Sequence, residues 1–360
     1  MTDDDYMARA LALAERGRGR TTPNPMVGAI VVTAGVVVGR GCHEAAGLPH
    51  AEVRALEDAG ARACGGTLYC TLEPCCHRGR TGPCAERVVE AGIERVVAAM
   101  EDPHPLVRGG GFRFLRDHGV AVDVGPGGRE ARRLNEPFLT VIDRRRPLVT
   151  VKAALSLDGR VSRAPGTATR LTGPDADRLV HLQRAEVDAV AVGSGTVLAD
   201  DPRLTPRGAY RLRPLTRVVF DRRLRTPPEA RLLSTLDAGP VIIVTSAAAV
   251  AMRRAQVDAL SRAGATLLAL EQPDVVSALA AVTRLDVSWL LVEGGPTLHE
   301  AFWRAGVVDR LDVWVTPGWL GPNGPGWLPP GRLSLADLQD RRVRVCGHDV
   351  RVEGHVHGAD

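Results

Sequence analysis

Pro49-His50-Ala51-Glu52-Val53-Arg54-Ala55-Leu56, then Thr71-Leu72-Glu73-Pro74-Cys75, then Pro83-Cys84, are the stretches from which the rest of this chain can be read. One imidazole and two thiolates hold zinc while leaving its fourth tetrahedral position to water, and a nearby carboxylate that does not ligate can move protons. His50, Cys75 and Cys84 supply the first set and Glu52 the second. A structural zinc site has no use for an acid two residues after a ligand, so the pattern implies hydrolytic deamination. Pro49 suits the start of a helix carrying His50 and Glu52 on nearby faces. A strand over 66–71 delivers Cys75 at its carboxyl end, and Cys84 opens a helix whose free amides favour a thiolate.

The usual deaminase signature puts two residues between its cysteines, whereas eight intervene here, 76–83. A four-thiolate structural site would have to recruit Cys64, Cys70 or Cys76 as well, an alternative that spacing alone leaves open.

At 360 residues, 44% hydrophobic and 24% charged, the chain exceeds what one core organises, and two domains are expected. The start, Met1 to Tyr6, is acidic rather than basic, and the longest apolar stretch, 27–39, is interrupted by Thr33 and too short to span a bilayer. A cytoplasmic protein without a membrane partner is expected. Seven cysteines, an odd and clustered set, fit reduced thiols better than a disulfide framework. The 46 basic and 42 acidic residues leave a dispersed +4, and aromatics make up only 4%, which argues against a nucleic-acid partner. Lys152 is the only lysine in the chain. Arginine cannot replace a compact ammonium that must fit a pocket or change its pKa, so Lys152 reads either as a functional residue or as a chance survivor of an arginine bias.

Apolar spacing predicts a helix over 6–16, a hairpin over 27–38 turning at Gly35, and strands over 66–71, 93–100 and 120–124. Helices are expected over 85–91, 111–118 and 130–142, the last running through Pro137. Arg144-Arg145-Arg146-Pro147 reads as a solvated connector and marks the domain boundary. Beyond it strands recur at 148–155, 188–192, 217–220, 241–245, 266–270, 289–292 and 311–316 with helical segments between several of them. This alternation predicts a mostly parallel α/β sheet that binds ligands at the carboxyl ends of its strands. Two such ends are glycine-rich, Gly193-Ser194-Gly195-Thr196 and Glu293-Gly294-Gly295-Pro296-Thr297, and neither carries the full dinucleotide fingerprint. Pro296 at a first helical position leaves amides free for an anion such as a pyrophosphate, although glycines at a strand end also make simple turns. The tail with His355 and His357 reads as disordered.

Pro23-Asn24-Pro25-Met26-Val27-Gly28, His50-Ala51-Glu52, Thr71-Leu72-Glu73-Pro74-Cys75, Gly79-Arg80-Thr81 and Pro83-Cys84 carry a resemblance that continues into the second half. There it runs through Lys152, Ser156-Leu157-Asp158-Gly159, Gly195-Thr196-Val197, Ala199-Asp200-Asp201-Pro202, Leu204-Thr205 and Glu293-Gly294-Gly295. Over nearly its whole length the chain resembles the bifunctional pyrimidine deaminase and reductase of riboflavin biosynthesis. The resemblance implies a cytidine-deaminase-like three-layer α/β domain over 1–146 that removes the 2-amino group of a diaminopyrimidinone ribotide with Zn2+. It implies a dihydrofolate-reductase-like domain over 147–360, with a mostly parallel sheet, that reduces the ribosyl group to ribityl with NADPH.

By the same resemblance the metal ligands are His50, Cys75 and Cys84, Glu52 moves protons, and the eight-residue separation is ordinary. Asn24 resembles a base-binding residue, and reads equally as the cap of a turn between two prolines. NADPH is expected against Ala154, Thr196, Asp200 and the loop Gly295, Pro296, Thr297, Leu298, His299, Glu300 and Ala301. The substrate is expected against Arg184, Leu204, Arg207 and Glu293, two guanidinium groups suiting its phosphate ester. Lys152 falls near the reacting sugar, either to steady a developing alkoxide or to donate a proton. Where many relatives carry Trp-Ile-Thr, this chain has Arg170-Leu171-Thr172. Arg170 then either stacks on or pairs with the cofactor, or leaves the reductase weakened or retuned. Arg222 and Arg223 read as surface residues or as contributors to 2′-phosphate selectivity. A homodimer or homotetramer acting on a small-molecule pyrimidine ribotide is expected. Two alternatives stand beside this reading: a deaminase with a weakened or repurposed reductase half, acting in a related specialised pathway or on another base or nucleic acid, and a non-catalytic zinc-stabilised binding module. The joint presence of Glu52, Lys152 and Asp200 speaks against the second of these.

Overall fold

The valine-rich run after Pro25 folds as β1 (Gly28–Thr33) and β2 (Val36–Cys42), paired antiparallel across a turn at Ala34 and Gly35, both with left-handed φ. The computed structural model describes residues 1–77, 82–328 and 333–356, and its chain divides into two units, Met1–Arg145 and Arg146–Asp360. Gly79-Arg80-Thr81 and His357 lie outside the described residues.

In the first unit α1 (Asp3–Ala14) begins at a capping box between Thr2 and Asp5. After β2 come α2 (Ala51–Ala59), β3 (Thr67–Cys70), α3 (Cys84–Glu90), β4 (Arg95–Ala98), α4 (Gly110–Asp117), β5 (Ala121–Val124), α5 (Gly128–Leu134) and α6 (Glu136–Arg144). The sheet runs β2-β1-β3-β4-β5, antiparallel as far as β3 and parallel from there. Helices cover both faces, giving three layers. Gly41 lets α2 settle onto one face, where a Cβ would collide with Ala51 O, and Gly28 does the same for α1 on the other, against Ala10 O. That close seat fixes the helix behind His50 against a core of Ala29, Val31, Ala55 and Leu68.

The single helix expected over 130–142 is two. Pro137 occupies the first turn of α6, where its missing N–H costs nothing, and the break falls at Asn135. The Asn135 side chain accepts from Met26 N at 2.7 Å and donates to Met26 O at 2.9 Å, so the interruption is stitched into the core.

The second unit opens on β6 (Leu148–Leu155) and continues through α7 (Pro174–Glu186), β7 (Ala189–Gly193), α8 (Ser194–Asp200), β8 (Thr216–Phe220) and β9 (Val241–Ser246). Then follow α9 (Ala247–Met252), α10 (Arg254–Arg262), β10 (Ala265–Leu270), α11 (Val275–Thr283), β11 (Trp289–Gly294), α12 (Pro296–Arg304) and β12 (Arg310–Val315). A hairpin of β13 (Gln339–Cys346) and β14 (Asp349–His355) closes the chain. The sheet order is β10-β9-β8-β7-β11-β6-β12-β14-β13, parallel through β12 and antiparallel across the last three strands.

Two sequence expectations are corrected here. Arg146 is not a solvated connector: its guanidinium meets Asp309 at 2.6 and 2.8 Å with both side chains largely buried, and Asp309 also accepts from Val149 N. Three successive arginines look alike in sequence, and only the fold selects the one that is buried. His355 is not in a disordered tail; it is buried on β14, with Arg310 Nε 3.1 Å from its Nε2. The hairpin escapes a sequence reading because β13 is exposed and arginine-rich, the composition of an edge strand rather than of alternating core.

Candidate active sites

Three elements bring the metal-type residues together. His50 is the N-cap of α2, Cys75 follows β3, and Cys84 is the first residue of α3. Their ligand atoms all lie within 4.8 Å of one another. His50 Nδ1 is 3.2 Å from Cys84 Sγ and 3.5 Å from Cys75 Sγ, and Cys84 N donates to Cys75 Sγ at 3.4 Å. No other group of three such donors is found among the described residues, so Cys64, Cys70 and Cys76 do not complete a four-thiolate site. The Cys75 thiol is drawn down to about 4, chiefly by its hydrogen bond with Cys84 and further by His50, whereas Cys84 is pushed well up by the same contact and by burial. A second thiolate there needs a cation beside it, and one nitrogen with two sulfurs fits zinc.

Glu52 is fully enclosed in the first turn of α2, 3% exposed, and burial lifts its carboxyl to about 7 against the opposing pull of His50. It lines a cavity of about 330 Å³ with His50, Cys75, Asn24, His43, His77, Asp102 and His104. Burial raises Asp102 to about 6, and the rings of His77 and His104 stack at 6.4 Å between centroids. His43, His77, Asp102 and His104 are absent from the sequence reading. Only Asp102-Pro103-His104-Pro105, polar residues pinned between prolines after β4, carried a signal that could have found part of the set.

Glu73 anchors that wall. Its carboxylate accepts from the backbone N–H groups of Asp102 (3.1 Å), Gly109 (2.9 Å), Gly111 (2.8 Å) and Phe112 (3.2 Å). The residue two before Cys75 thus ties the ligand-bearing loop to the start of α4.

In the second unit the two glycine-rich strand ends become neighbours, because β7 and β11 pair in parallel. Gly295 caps α12, the Gly294-Gly295 peptide is cis, and a Cβ on Gly295 would lie 3.3 Å from Thr196 Oγ1. Gly295, Pro296 and Thr297 sit together with Thr196 at the carboxyl edge of the sheet. Leu298 and His299 instead turn their side chains into the core. His299 Nδ1 accepts from Trp327 Nε1 at 2.8 Å and Nε2 faces Val292 O at 3.2 Å; burial pushes the imidazole down to about 4. Glu300 pairs with Arg304 at 2.6 Å, and Ala301 is half-buried.

Val151 pairs with Val292, which sets Lys152 on β6 beside Glu293, whose pKa its charge helps to lower. Arg184 grips Glu293 through two bonds of 2.7 and 2.5 Å and also reaches Thr205 O at 3.3 Å. Burial opposes charge on Glu293, but Arg184 outweighs it and the carboxyl lies below its usual range. Leu204, with φ +55°, is buried. Arg207 is exposed against His181, with its Nη2 3.1 Å from His181 Nε2. Ala154 is half-buried against Trp314, and Asp200 is exposed, its carboxyl raised by partial desolvation. Arg170 is exposed and pairs with Asp177 at 2.7 Å.

Residues 1–100 match the cytidine and deoxycytidylate deaminase zinc-binding region, and residues 147–352 match the RibD C-terminal domain. The chain is 40% identical over 354 residues to the riboflavin biosynthesis protein RibD of Aquifex aeolicus, covering 97% of each. The solved structure of Acinetobacter baumannii RibD superposes with a TM-score of 0.86 at 34% identity, over 99% of both chains. A diaminohydroxyphosphoribosylaminopyrimidine deaminase/5-amino-6-(5-phosphoribosylamino)uracil reductase from Thermotoga maritima gives 0.85 at 32% identity, over 98% of both. With a His/Cys metal centre in the first unit and this match along nearly all of its length, the chain belongs to the RibD family, the bifunctional enzymes of riboflavin biosynthesis that join zinc-dependent deamination to NADPH-dependent ribosyl reduction.

Proposed function

We propose that residues 1–146 release ammonia from 2,5-diamino-6-(5-phosphoribosylamino)pyrimidin-4(3H)-one and that residues 147–360 then reduce the ribosyl group of the product to ribityl. The observation that carries the first step is the convergence of His50, Cys75, Cys84 and a buried Glu52 on one cavity. Zinc held by the three ligands supplies the acidity that makes water a nucleophile near neutral pH. Glu52, enclosed beside these ligands, would carry two protons in turn, one from the attacking water to the ring nitrogen and one from the resulting C2 hydroxyl to the leaving amine. Asn24 faces the base, His77 and His104 suit the ribosyl phosphate as hydrogen-bond donors, and Asp102 suits the sugar hydroxyls.

For the second step NADPH supplies the hydride. The backbone N–H groups of Gly295 and Thr297, on either side of Pro296, with Thr196 and Asp200 opposite, hold its phosphates and ribose. Glu293 fixes Arg184, Arg207 meets the substrate phosphate, and Lys152 stands where charge develops on the sugar oxygen. Arg170 favours a second reading, a weakened or repurposed reductase, because its guanidinium is committed to Asp177. A cytoplasmic location, supported by seven unpaired cysteines, and assembly as a homodimer or homotetramer complete the proposal.

The test is to incubate the zinc-loaded protein with the ribotide and NADPH and to follow ammonia and NADPH oxidation separately. Both signals are expected, ammonia first. Glu52→Gln should keep stoichiometric zinc and lower ammonia release about a thousandfold. Near-normal release by that variant would refute the assignment, and absent NADPH oxidation with normal deamination would select the second reading.

A further inference from the structure

His43 is buried in the cavity wall, where its backbone N–H donates to Val27 O at 2.9 Å and its ring packs edge-on against His50, 5.3 Å between centroids. Its Nδ1 lies 3.3 Å from Pro49 O, and its Nε2 lies 3.0 Å from Asn24 Nδ2. A carbonyl can only accept, so the ring proton belongs on Nδ1, and Nε2 of the neutral ring is left as a bare acceptor. Of the two ends of the Asn24 amide only the NH2 can satisfy that acceptor. The other end, Oδ1, is then turned away from His43.

We infer that His43 is a positioning residue that locks the Asn24 carboxamide with Oδ1 offered to the cavity, so that the site selects a pyrimidine edge presenting a ring N–H donor. The inference deepens the deaminase reading and rests on it. A pyrimidin-4(3H)-one carries such a donor at N3, beside the amino group that leaves. A cytosine ring presents an acceptor at N3, which Oδ1 repels. Without the His43 acceptor the amide is free to flip, and its NH2 end no longer distinguishes the two rings in favour of the substrate.

A double-mutant cycle on the zinc-loaded full chain tests this, with the diaminopyrimidinone ribotide as substrate and ammonia release as readout. Asn24→Ala and His43→Ala are each expected to raise KM about tenfold with kcat within about twofold, and the double variant to be no worse than about tenfold, because both changes remove one device. His43→Gln, whose Oε1 can accept where Nε2 did, should restore KM to within about threefold of wild type. If His43→Ala fails to retain zinc, His43→Phe, which keeps a ring without nitrogen, replaces it in the cycle. Multiplying effects of about a hundredfold in the double variant would overturn the inference, as would an unchanged KM in the His43 variant or no rescue by glutamine. Absence of ammonia release from wild type would instead remove the deaminase reading itself.

Discussion

At the scale of single residues, the chemistry proposed for the two units falls to one ammonium and one carboxylate. Lys152 persists as lysine in a chain whose other basic residues are all arginine, and the structure places its charge beside Glu293 at the end of β11. A guanidinium in its place is bulkier, planar and unable to give up its proton. Lys152→Arg is therefore expected to slow ribosyl reduction about a hundredfold, the cost of losing one stabilising donor at a developing oxyanion, while ammonia release stays at the wild-type rate. Stopped-flow NADPH oxidation alongside an ammonia assay checks this, and an unchanged reduction rate would make the lysine a chance survivor. Glu52 owes its poise to enclosure: nothing in His50-Ala51-Glu52 states how deeply the acid is buried, and burial is the cause of its raised pKa.

Among elements, the cavity depends on a carboxylate whose partners are backbone N–H groups. Glu73 gathers four backbone N–H donors from the turn after β4 and the first turn of α4, and so holds Asp102 and His104 opposite the metal-type ligands. A glutamine keeps the shape but accepts through one oxygen only and turns an NH2 toward two of those donors. Glu73→Gln should lower the stability of the first unit by about 3 kcal/mol, the scale of a buried charge-assisted network left half satisfied. Urea unfolding followed by zinc release measures it, and a loss under about 0.5 kcal/mol would show that the four bonds are dispensable. In the second unit Arg211 serves a comparable end. It donates to the carbonyls of Arg184, Ala185 and Val187 at the end of α7, fastening the segment that holds Leu204 and Arg207 to the helix that holds Arg184.

For the molecule as a whole, acid should act on the second unit through a histidine that does no chemistry. His299 is kept neutral in the core, one nitrogen accepting from Trp327 and the other facing Val292 O, and its pKa falls from 6.5 to about 4. An unfolded chain takes up the proton at the higher value. The stabilisation is therefore complete above pH 6.5 and disappears as pH falls toward 4, a change of about 3 kcal/mol. His299→Gln, which does not titrate, should flatten that part of the stability profile, and parallel slopes for the two proteins in urea unfolding between pH 7 and 4 would sink the argument. Among the described residues no helix is long and apolar enough to cross a membrane.

Much of this was legible from the chain alone. The candidate donors His50, Cys75 and Cys84 and the acid at Glu52 are legible from residue type and family resemblance, and the hairpin turning at Gly35 and the parallel strands from β6 to β12 from periodicity, because ligand chemistry and side-chain alternation are local properties. Tertiary structure decided what depends on contacts distant in sequence. It chose Arg146 among three arginines to meet Asp309, turned His299 inward from a loop expected to face a cofactor, and set Arg184 against Glu293, 109 residues away. It also joined Asn24 to His43, and Glu73 to amides some thirty residues on. A sequence displays which groups can hydrogen-bond or ionise; only the folded chain, by excluding water and bringing partners within 3 Å, determines which of them do.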